Sequence, residues 1–155
     1  IRSHQAILMA NRGKSKPAIL FIDLDHFKTI NDKFGHAVGD LMLQEVASRI
    51  RLVVREEDIA ARAGGDEFLV LLPHTADSSE AGAVAQKICA VLEKPFYVHD
   101  DKILISASVG IALWPEHGND LKSLTRSADH AMYAAKNSGK NAFKVFVSSV
   151  ENEVL

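Results

Sequence analysis

Two glycines and two acidic residues precede an apolar run in the segment RAGGDEFLVLLP, Arg62 to Pro73. The segments DIAARA and EFLVLLP predict two strands joined by a tight turn at Gly64 and Gly65. Side chains alternate along a strand, so Asp66 and Glu67 are expected on opposite faces. Two glycines also leave the backbone open to an approaching phosphate. The pattern alone is equally compatible with a hairpin whose acidic residues only keep its tip soluble.

A third carboxylate lies at the end of another predicted strand. The apolar run AILFIDLD, residues 18–25, follows Pro17 and predicts a buried central strand with Asp23 near its carboxyl end. Burying an aspartate is costly unless a cation or hydrogen bonds compensate for the lost water. If this strand pairs with the hairpin, one hairpin carboxylate converges with Asp23. Two or three such oxygens suit Mg²⁺ or Mn²⁺.

Two further segments carry polar residues suited to a nucleotide base. The segment HFKTINDKFG predicts a short helix with Asp25 as its N-cap and with Lys28, Asn31 and Asp32 on one polar face. Asp40 follows in the glycine-rich bend GHAVGD. Asparagine and aspartate together can satisfy the hydrogen-bonding edge of guanine. Together with the candidate metal-binding carboxylates Asp23, Asp66 and Glu67, these residues resemble the parts of a nucleotide site.

Two lysines near the end of the chain are candidates for binding phosphate. Lys136 and Lys140 lie in YAAKNSGKN, at the C-terminal end of the last predicted helix. A helix C-terminus favours cations even without a ligand, so solvated capping is the alternative interpretation.

The remaining segments predict the elements that must position these residues. The expected order is strand, helix, helix, hairpin, helix, strand, helix, strand, which indicates α+β or α/β with helices packed on a sheet. A helix is also expected in IRSHQAILMANR at the start of the chain. The other expected helices are LMLQEVASRIRLVVR, the helix opened by DSSE, and residues 120–137. The segments KPFYVH and KILISASVGIALW are expected to form a second hairpin around residues 99–101, and AFKVFV a closing strand.

The composition is that of one ordinary globular domain. The chain has 155 residues, 47% of them hydrophobic and 25% charged, with a formal net charge of -2. That charge argues against a general nucleic-acid binder. The single Cys89 excludes an internal disulfide and is expected in the core. No apolar run approaches the ~20 residues of a membrane span, so we expect a reducing, cytoplasmic setting.

Four ordered blocks of the chain resemble the GGDEF family, the diguanylate cyclases. They are FIDLDHFKTINDKFGHAVGD at 21–40, GGDEF at 64–68, SASVGIAL at 106–113 and ADHAMYAAKNSGKN at 128–141. The resemblance extends from about residue 18 to residue 146. It implies a central, mainly antiparallel sheet flanked by helices, similar to adenylyl cyclase and polymerase palm cores. Residues 1–147 are then the domain, with its usual opening segment truncated, and residues 148–155 a tail or the start of a linker.

The resemblance also implies a reaction. Two GTP molecules condense into cyclic di-GMP and two pyrophosphates, because each 3′-hydroxyl attacks the α-phosphate of the other GTP in line. Two Mg²⁺ or Mn²⁺ ions per active site would assist this chemistry. Each subunit of a face-to-face homodimer holds one GTP. The implied wider setting includes an upstream sensory domain and a downstream EAL phosphodiesterase domain, to which SASVGIALWPEHG points, with membrane anchoring only through segments outside this sequence.

The same resemblance assigns roles to individual positions. Asp23, Asp66 and Glu67 are the expected catalytic residues, and Glu67 matches the position proposed to activate the hydroxyl or bind the second metal. The expected metal ligands are Asp23, the Leu24 carbonyl, Asp66 and Glu67. The expected GTP-binding residues are Lys28, Asn31, Asp40, Gly64, Gly65, Lys136 and Lys140. Many relatives have arginine at position 140; lysine keeps the charge but lacks the bidentate fork, so weaker phosphate binding is expected.

A separate regulatory site is expected before the hairpin. REED, with Arg55 and Asp58 at its ends, matches the RxxD site at which product cyclic di-GMP inhibits the family; a solvated charge cluster is the alternative. Two other functions stay open. One is a silent module that binds GTP or cyclic di-GMP and regulates a fused partner. The other is a different palm-type nucleotidyltransferase, against which Asn31 and Asp40 argue. The presence of all three motif acids favours catalysis.

Overall fold

The apolar run after Pro17 forms the central strand of a five-stranded sheet. A computed structural model of the chain describes residues 16–148. The elements are β1 (Ala18–Asp25), α1 (Phe27–Phe34), α2 (His36–Val53), β2 (Ile59–Arg62), β3 (Glu67–Leu72), α3 (Ser78–Glu93), β4 (Phe96–Val98), β5 (Asp101–Ile103), β6 (Ser106–Leu113), α4 (Leu121–Asn137) and β7 (Ala142–Val145). The helix expected in residues 1–12 lies outside the described residues, as does nearly all of the expected tail.

The strand order in the main sheet is β2-β3-β1-β6-β7. β1 pairs antiparallel with β3 and β6, and β2 pairs antiparallel with β3. Only the last pair, β6 with β7, is parallel, and α4 forms the crossover between them. The α+β fold class and the mainly antiparallel sheet are therefore confirmed.

The alternation of side chains along β1 divides the core into two layers. Its even-numbered residues, such as Leu20 and Ile22, are fully buried against the cluster that includes residues of α1, α2 and α3. The odd-numbered residues Ile19 and Phe21 pack against α4 on the opposite face. Because Asp23 and Asp25 continue the odd series, they are placed on the α4 face.

Helix α4 lies directly against β6 at Gly110. A Cβ at this position would overlap the Ala128 carbonyl and the Met132 amide. The absence of a side chain thus allows the helix backbone to contact the strand. Lys136 lies one turn beyond Met132, so this close approach sets where its side chain reaches the sheet.

Three local predictions are wrong. Asp25 does not cap α1: the N-cap is His26, which has a left-handed backbone (φ 60°) and no side-chain capping bond, because the Asp25 carboxylate is occupied on the sheet. Gly64 and Gly65 are not a two-residue turn but the centre of the longer loop between β2 and β3, and neither has a positive φ. KILISASVGIALW is not one strand: its start, β5, forms the expected antiparallel hairpin with β4 in a separate two-stranded sheet, and its remainder is the central strand β6.

Two other predictions are confirmed. Cys89 is buried in the core, and burial, followed by the charges of Asp25 and Glu93, raises the pKa of its thiol to about 11. The last helix begins after Asp120, whose side chain accepts from the Ser123 amide at 2.7 Å. Among residues 16–148, no helix is both long enough and apolar enough to cross a membrane.

Candidate active site

The carboxylates predicted from the sequence meet where β1 and β3 end. Asp23 of β1 stands opposite Glu67 of β3 in the antiparallel register. Directly opposite residues project to the same face, so Glu67 is the hairpin acid that shares the α4 face with Asp23. The Leu24 amide donates to the Asp66 carbonyl at 3.2 Å and ties the hairpin loop to β1.

Asp23 is held in an unfavourable environment for a charge. Its Oδ1 is buried and has no hydrogen-bond partner among residues 16–148. Burial raises the pKa of Asp23 to about 6; Lys136 opposes this shift, while Asp66, Glu67 and Asp25 add to it. The pKa of Glu67 is also raised, first by burial and then by Asp129 and Asp66. The site is therefore an acidic pocket whose negative charge Lys136 offsets only in part.

Asp25, two residues further along β1, is the best-satisfied carboxylate of the site. Its Oδ1 accepts from Ser108 Oγ at 2.7 Å and from Lys136 Nζ at 3.0 Å. Its Oδ2 accepts from Ser106 Oγ and, at 3.0 Å, from the Asn141 amide. Burial alone would raise the pKa of Asp25, but these four hydrogen bonds outweigh it and hold the pKa below its ordinary value.

Arg62 orients the loop that carries the two glycines. Its Nε donates to the carbonyls of Gly64 and Gly65 at 2.9 and 3.0 Å. In a trans peptide the N–H points away from the carbonyl, so the amides of Gly65 and Asp66 face the other side of the loop. Neither amide donates a hydrogen bond within residues 16–148. Successive free amides of this kind can bind an anion.

The two predicted guanine-binding residues lie on adjacent helices. Asn31 is on α1 and Asp40 on α2. Gly39 brings these helices together, because a Cβ at this position would overlap the Asn31 carboxamide. Asp40 also lines a groove of about 380 Å³ between α2 and the β2–β3 hairpin, together with apolar side chains such as Leu43 and Phe68. This groove is large enough for a small ligand.

The three predicted phosphate-binding lysines differ in their surroundings. Lys28 is exposed on the first turn of α1. Lys136 Nζ lies 3.7 Å from Asp23 Oδ2, in addition to its hydrogen bond to Asp25, so it does more than cap a helix. Lys140 is half-buried in the turn after α4, with a left-handed backbone (φ 65°). The structure thus brings Lys136 to the carboxylates and leaves Lys28 on the surface.

The donor set of this pocket fits a hard divalent cation. No three His, Cys, Asp or Glu side chains within the described residues cluster tightly enough to hold a metal on their own. Asp23 nevertheless has a buried oxygen without a donor, and Asp66 and Glu67 are close enough to raise its pKa. Mg²⁺ is usually bound by one or two carboxylates and completes its shell with water and phosphate oxygens. The carboxylates of this pocket therefore fit a divalent cation that completes its shell with oxygens from outside the protein.

The predicted inhibitory residues form a closed turn after α2. The Arg55 amide donates to Asp58 Oδ2 at 2.7 Å, and the Asp58 amide donates to the Arg55 carbonyl at 3.1 Å. The Arg55 guanidinium is exposed and lies 3.8 Å from Glu80 of α3 and 4.0 Å from Glu57. Arg51 and Arg55 both line a surface groove of about 300 Å³.

Sequence reasoning missed the residues that surround Asp25. Ser106 and Ser108 alternate with apolar residues on β6, as Asp23 and Asp25 do on β1. The available signal was the alternation of polar with apolar residues in DLD and in SAS, within two apolar segments that predict buried strands. The register that pairs Asp25 with Ser106 and Asp23 with Ser108 could not be read from either segment alone.

The fold and the site together define the class of protein. It is an α+β domain with carboxylates at the end of β1, Lys136 beside them, and the loop of Gly64 and Gly65 next to them. Comparison with known proteins gives the family. The model of the family described as "Diguanylate cyclase, GGDEF domain" matches residues 2–142, so the chain belongs to the GGDEF family.

Individual relatives agree with this assignment. The chain is 46% identical over 149 residues to the bifunctional diguanylate cyclase/cyclic di-GMP phosphodiesterase MucR of Pseudomonas aeruginosa, covering 96% of this chain and 22% of the relative. It is 41% identical over 140 residues to the cyclic di-GMP phosphodiesterase PdeR of Escherichia coli, covering 90% and 21%. The crystal structure of the GGDEF domain of TpbB (YfiN) from Pseudomonas aeruginosa matches with a TM-score of 0.92 at 41% identity, covering 96% of this chain and 92% of that one. The chain spans about a fifth of the length of these two curated relatives.

Proposed function

We propose that this domain is a diguanylate cyclase that condenses two GTP molecules into cyclic di-GMP and releases two pyrophosphates. The observation that carries the proposal is the buried Asp23 oxygen without a donor, in a pocket with Asp66 and Glu67 and beside Lys136. A pocket that destabilises its own negative charge favours binding of a cation and of a substrate that brings one. All three motif acids are present, as catalysis requires.

In this proposal the chain binds and orients GTP from three sides. Asn31 and Asp40 hydrogen-bond the guanine edge, with Gly39 keeping the two helices close. The free amides of Gly65 and Asp66 face the phosphates, while Lys28, Lys136 and Lys140 neutralise them. Two domains meet face to face, so that the 3′-hydroxyl of one GTP lies in line with the α-phosphate of the other.

Metal ions complete the proposed site. Asp23, Asp66, Glu67 and the Leu24 carbonyl would hold two Mg²⁺ or Mn²⁺ ions, which supply Lewis acidity to the phosphates and lower the pKa of the attacking hydroxyl. Glu67 has a raised pKa and shares the face of Asp23, so it is suited to accept the hydroxyl proton.

Mass-resolved product analysis tests the proposal. Concentrated protein is incubated with GTP and Mg²⁺, and the nucleotides are separated and identified. We expect cyclic di-GMP from the wild type and from Asp100→Asn, an exposed acid in the β4–β5 turn. We expect none from Asp66→Ala. Equal product from Asp66→Ala would contradict the metal assignment.

The silent-module alternative is supported by the names of some relatives. PdeR, a relative at 41% identity, is named a phosphodiesterase rather than a cyclase. Absence of product from the isolated domain would therefore lead to a second assay in which a fused coiled coil forces dimerisation. Product from the fusion supports the cyclase, whereas GTP binding without product from the fusion supports the silent module.

We further propose that Arg55 and Asp58 bind cyclic di-GMP as an inhibitor. The exposed Arg55 guanidinium is only loosely paired and Arg51 lines the same groove, so two arginines are available to phosphate. We expect Arg55→Ala to weaken product inhibition at least about tenfold with little change in initial rate. Lys87→Ala, on the exposed face of α3, is the matched control. Unchanged inhibition in Arg55→Ala would return REED to a solvated charge cluster.

A further inference from the structure

Asp25 is the one charged side chain with almost no exposure among the described residues. Its relative exposure is 1%, whereas the side chains of Asp23 and Lys136 are 18% and 19% exposed. Each of its two oxygens accepts two hydrogen bonds, so its acceptor capacity is largely used inside the protein. Asp25 is thus out of reach of a substrate and acts only on its neighbours.

The four donors come from three separate elements. Ser106 and Ser108 belong to β6, Lys136 to the last turn of α4, and the Asn141 amide to the residue before β7. Asp25 therefore joins β1 to the far end of the β6–α4–β7 crossover. These contacts span more than 80 residues of sequence and meet at a single carboxylate.

The turn between α4 and β7 is bound to this carboxylate. Gly139, Lys140 and Asn141 all have positive φ, at 122°, 65° and 47°. Lysine and asparagine enter this region at an energetic cost, so the surrounding contacts must hold them there. The Lys140 amide donates to the Ala135 carbonyl at 3.1 Å, which ties the turn to α4, and the next amide, that of Asn141, donates to Asp25 Oδ2 at 3.0 Å, which ties it to β1.

Asp25 also determines how close the Lys136 ammonium lies to Asp23. Lys136 Nζ lies 3.0 Å from Asp25 Oδ1 but 3.7 Å from Asp23 Oδ2. Without Asp25, Asp23 would be the only carboxylate partner of this ammonium within the described residues. The lysine would then occupy the oxygens that the proposed function assigns to a metal.

We propose that Asp25 is a positioning residue for triphosphate binding. Its carboxylate holds the Lys136 ammonium beside, rather than on, Asp23, and it fixes the turn that presents Lys140. Asp25 itself does not touch the substrate. This inference rests on the proposed function, because it takes the two lysines as the phosphate ligands.

Paired affinities for a nucleotide and a nucleoside test the inference. The probes are 3′-deoxyGTP, which lacks the attacking hydroxyl, and guanosine, both titrated in Mg²⁺ buffer by calorimetry. We expect Asp25→Asn to weaken 3′-deoxyGTP binding about tenfold and to leave guanosine binding within about twofold, since Asn31 and Asp40 are on other elements. Equal weakening for both probes would mean a general structural role and would overturn the inference.

A double-mutant cycle tests the route through Lys136. If Asp25 acts through this lysine, Asp25→Asn with Lys136→Met weakens 3′-deoxyGTP binding by less than the product of the two single effects. Effects that multiply fully would overturn the inference. Asp100→Asn is the matched control and should leave both affinities unchanged.

A gentler variant covers the case in which Asp25→Asn does not fold. Ser108→Ala keeps the carboxylate and removes one of its donors, so a selective loss of about threefold for 3′-deoxyGTP is expected. No selective loss in a folded Ser108→Ala protein would then overturn the inference. The proposed function fails separately: a wild type that binds 3′-deoxyGTP no more tightly than guanosine would overturn both, whereas a strong preference with unaffected variants overturns only the role of Asp25.

Discussion

Asp23 and Asp25 lie two residues apart on the same face of β1, yet their surroundings are opposite. Asp25 receives four hydrogen bonds, and its pKa is lowered. Asp23 has a buried oxygen without a partner, and its pKa is raised to about 6. Ser108 makes the contrast sharper: it stands opposite Asp23 in the β1–β6 register, but its hydroxyl donates to Asp25.

The difference shows how one strand end can hold both a carboxylate that is satisfied inside the protein and one that is left without donors. The donors that reach Asp25 bind the crossover to the sheet. The withholding of donors from Asp23 leaves an anion that a cation can stabilise. A folded protein rarely leaves a buried carboxylate oxygen without a partner, and such an exception indicates a functional site.

The largest expected effect separates the two residues by activity. Asp23→Asn keeps the shape of the side chain but removes the charge offered to the metal. We expect it to lower cyclic di-GMP formation at least about a thousandfold, because metal stabilisation of the phosphates is worth several kcal/mol. Asp25→Asn should lower the rate far less at saturating GTP. Initial rates over a range of GTP concentrations check this, and similar losses of kcat in both variants would remove the distinction.

The next effect separates them by stability. Asp25→Ala leaves two serine hydroxyls and the Asn141 amide without their acceptor and deprives Lys136 of its closer partner. We expect the free energy of unfolding to fall by about 3 kcal/mol, the cost of breaking a buried ion pair. Urea denaturation in EDTA at pH 7 measures it. A loss below about 0.5 kcal/mol, the range of ordinary surface substitutions, would contradict the anchoring role.

The smallest effect has the opposite sign and depends on pH. The folded-state pKa of Asp23 is raised from 3.8 to about 6, so between these pH values the folded protein keeps a proton that the unfolded chain has lost. The stability that this group contributes is therefore lost as the pH rises through that window. Asp23→Asn removes the loss. We therefore expect the variant in EDTA to be more stable than the wild type by about 1–3 kcal/mol at pH 8, with the difference disappearing below pH 4. Urea denaturation at both pH values checks this, and a destabilised variant at pH 8 would show that Asp23 is internally satisfied.

Many of the strands and helices that position Asp23 and Asp25 could be predicted from the sequence. The nearly continuous apolar run of residues 18–25 predicted a central strand, and the pattern of residues 120–137 predicted the last helix, α4. These signals are local, because burial of one face imposes its period on the residues of that element. The resemblance of four motif blocks then supplied the topology.

The parts that could not be predicted depend on contacts between distant segments. Asp25 was expected to cap α1 because it directly precedes a helical pattern, but its tertiary partners on β6 and α4 outweigh a local cap. The division of KILISASVGIALW into β5 and β6 has no marker in that run, since both halves are apolar. Strand register and the side-chain partners it creates are fixed only when the sheet assembles.

The most direct test is a titration of the side-chain carboxyl carbons of Asp23 and Asp25 by ¹³C NMR, with and without Mg²⁺. In EDTA we predict that Asp23 titrates near pH 6 and Asp25 below its ordinary value. Saturating Mg²⁺ should lower the pKa of Asp23 and leave that of Asp25 nearly unchanged. If both carboxyls instead titrate near their ordinary values and neither responds to Mg²⁺, Asp23 is not an anion kept for a metal, and the account of this site is wrong.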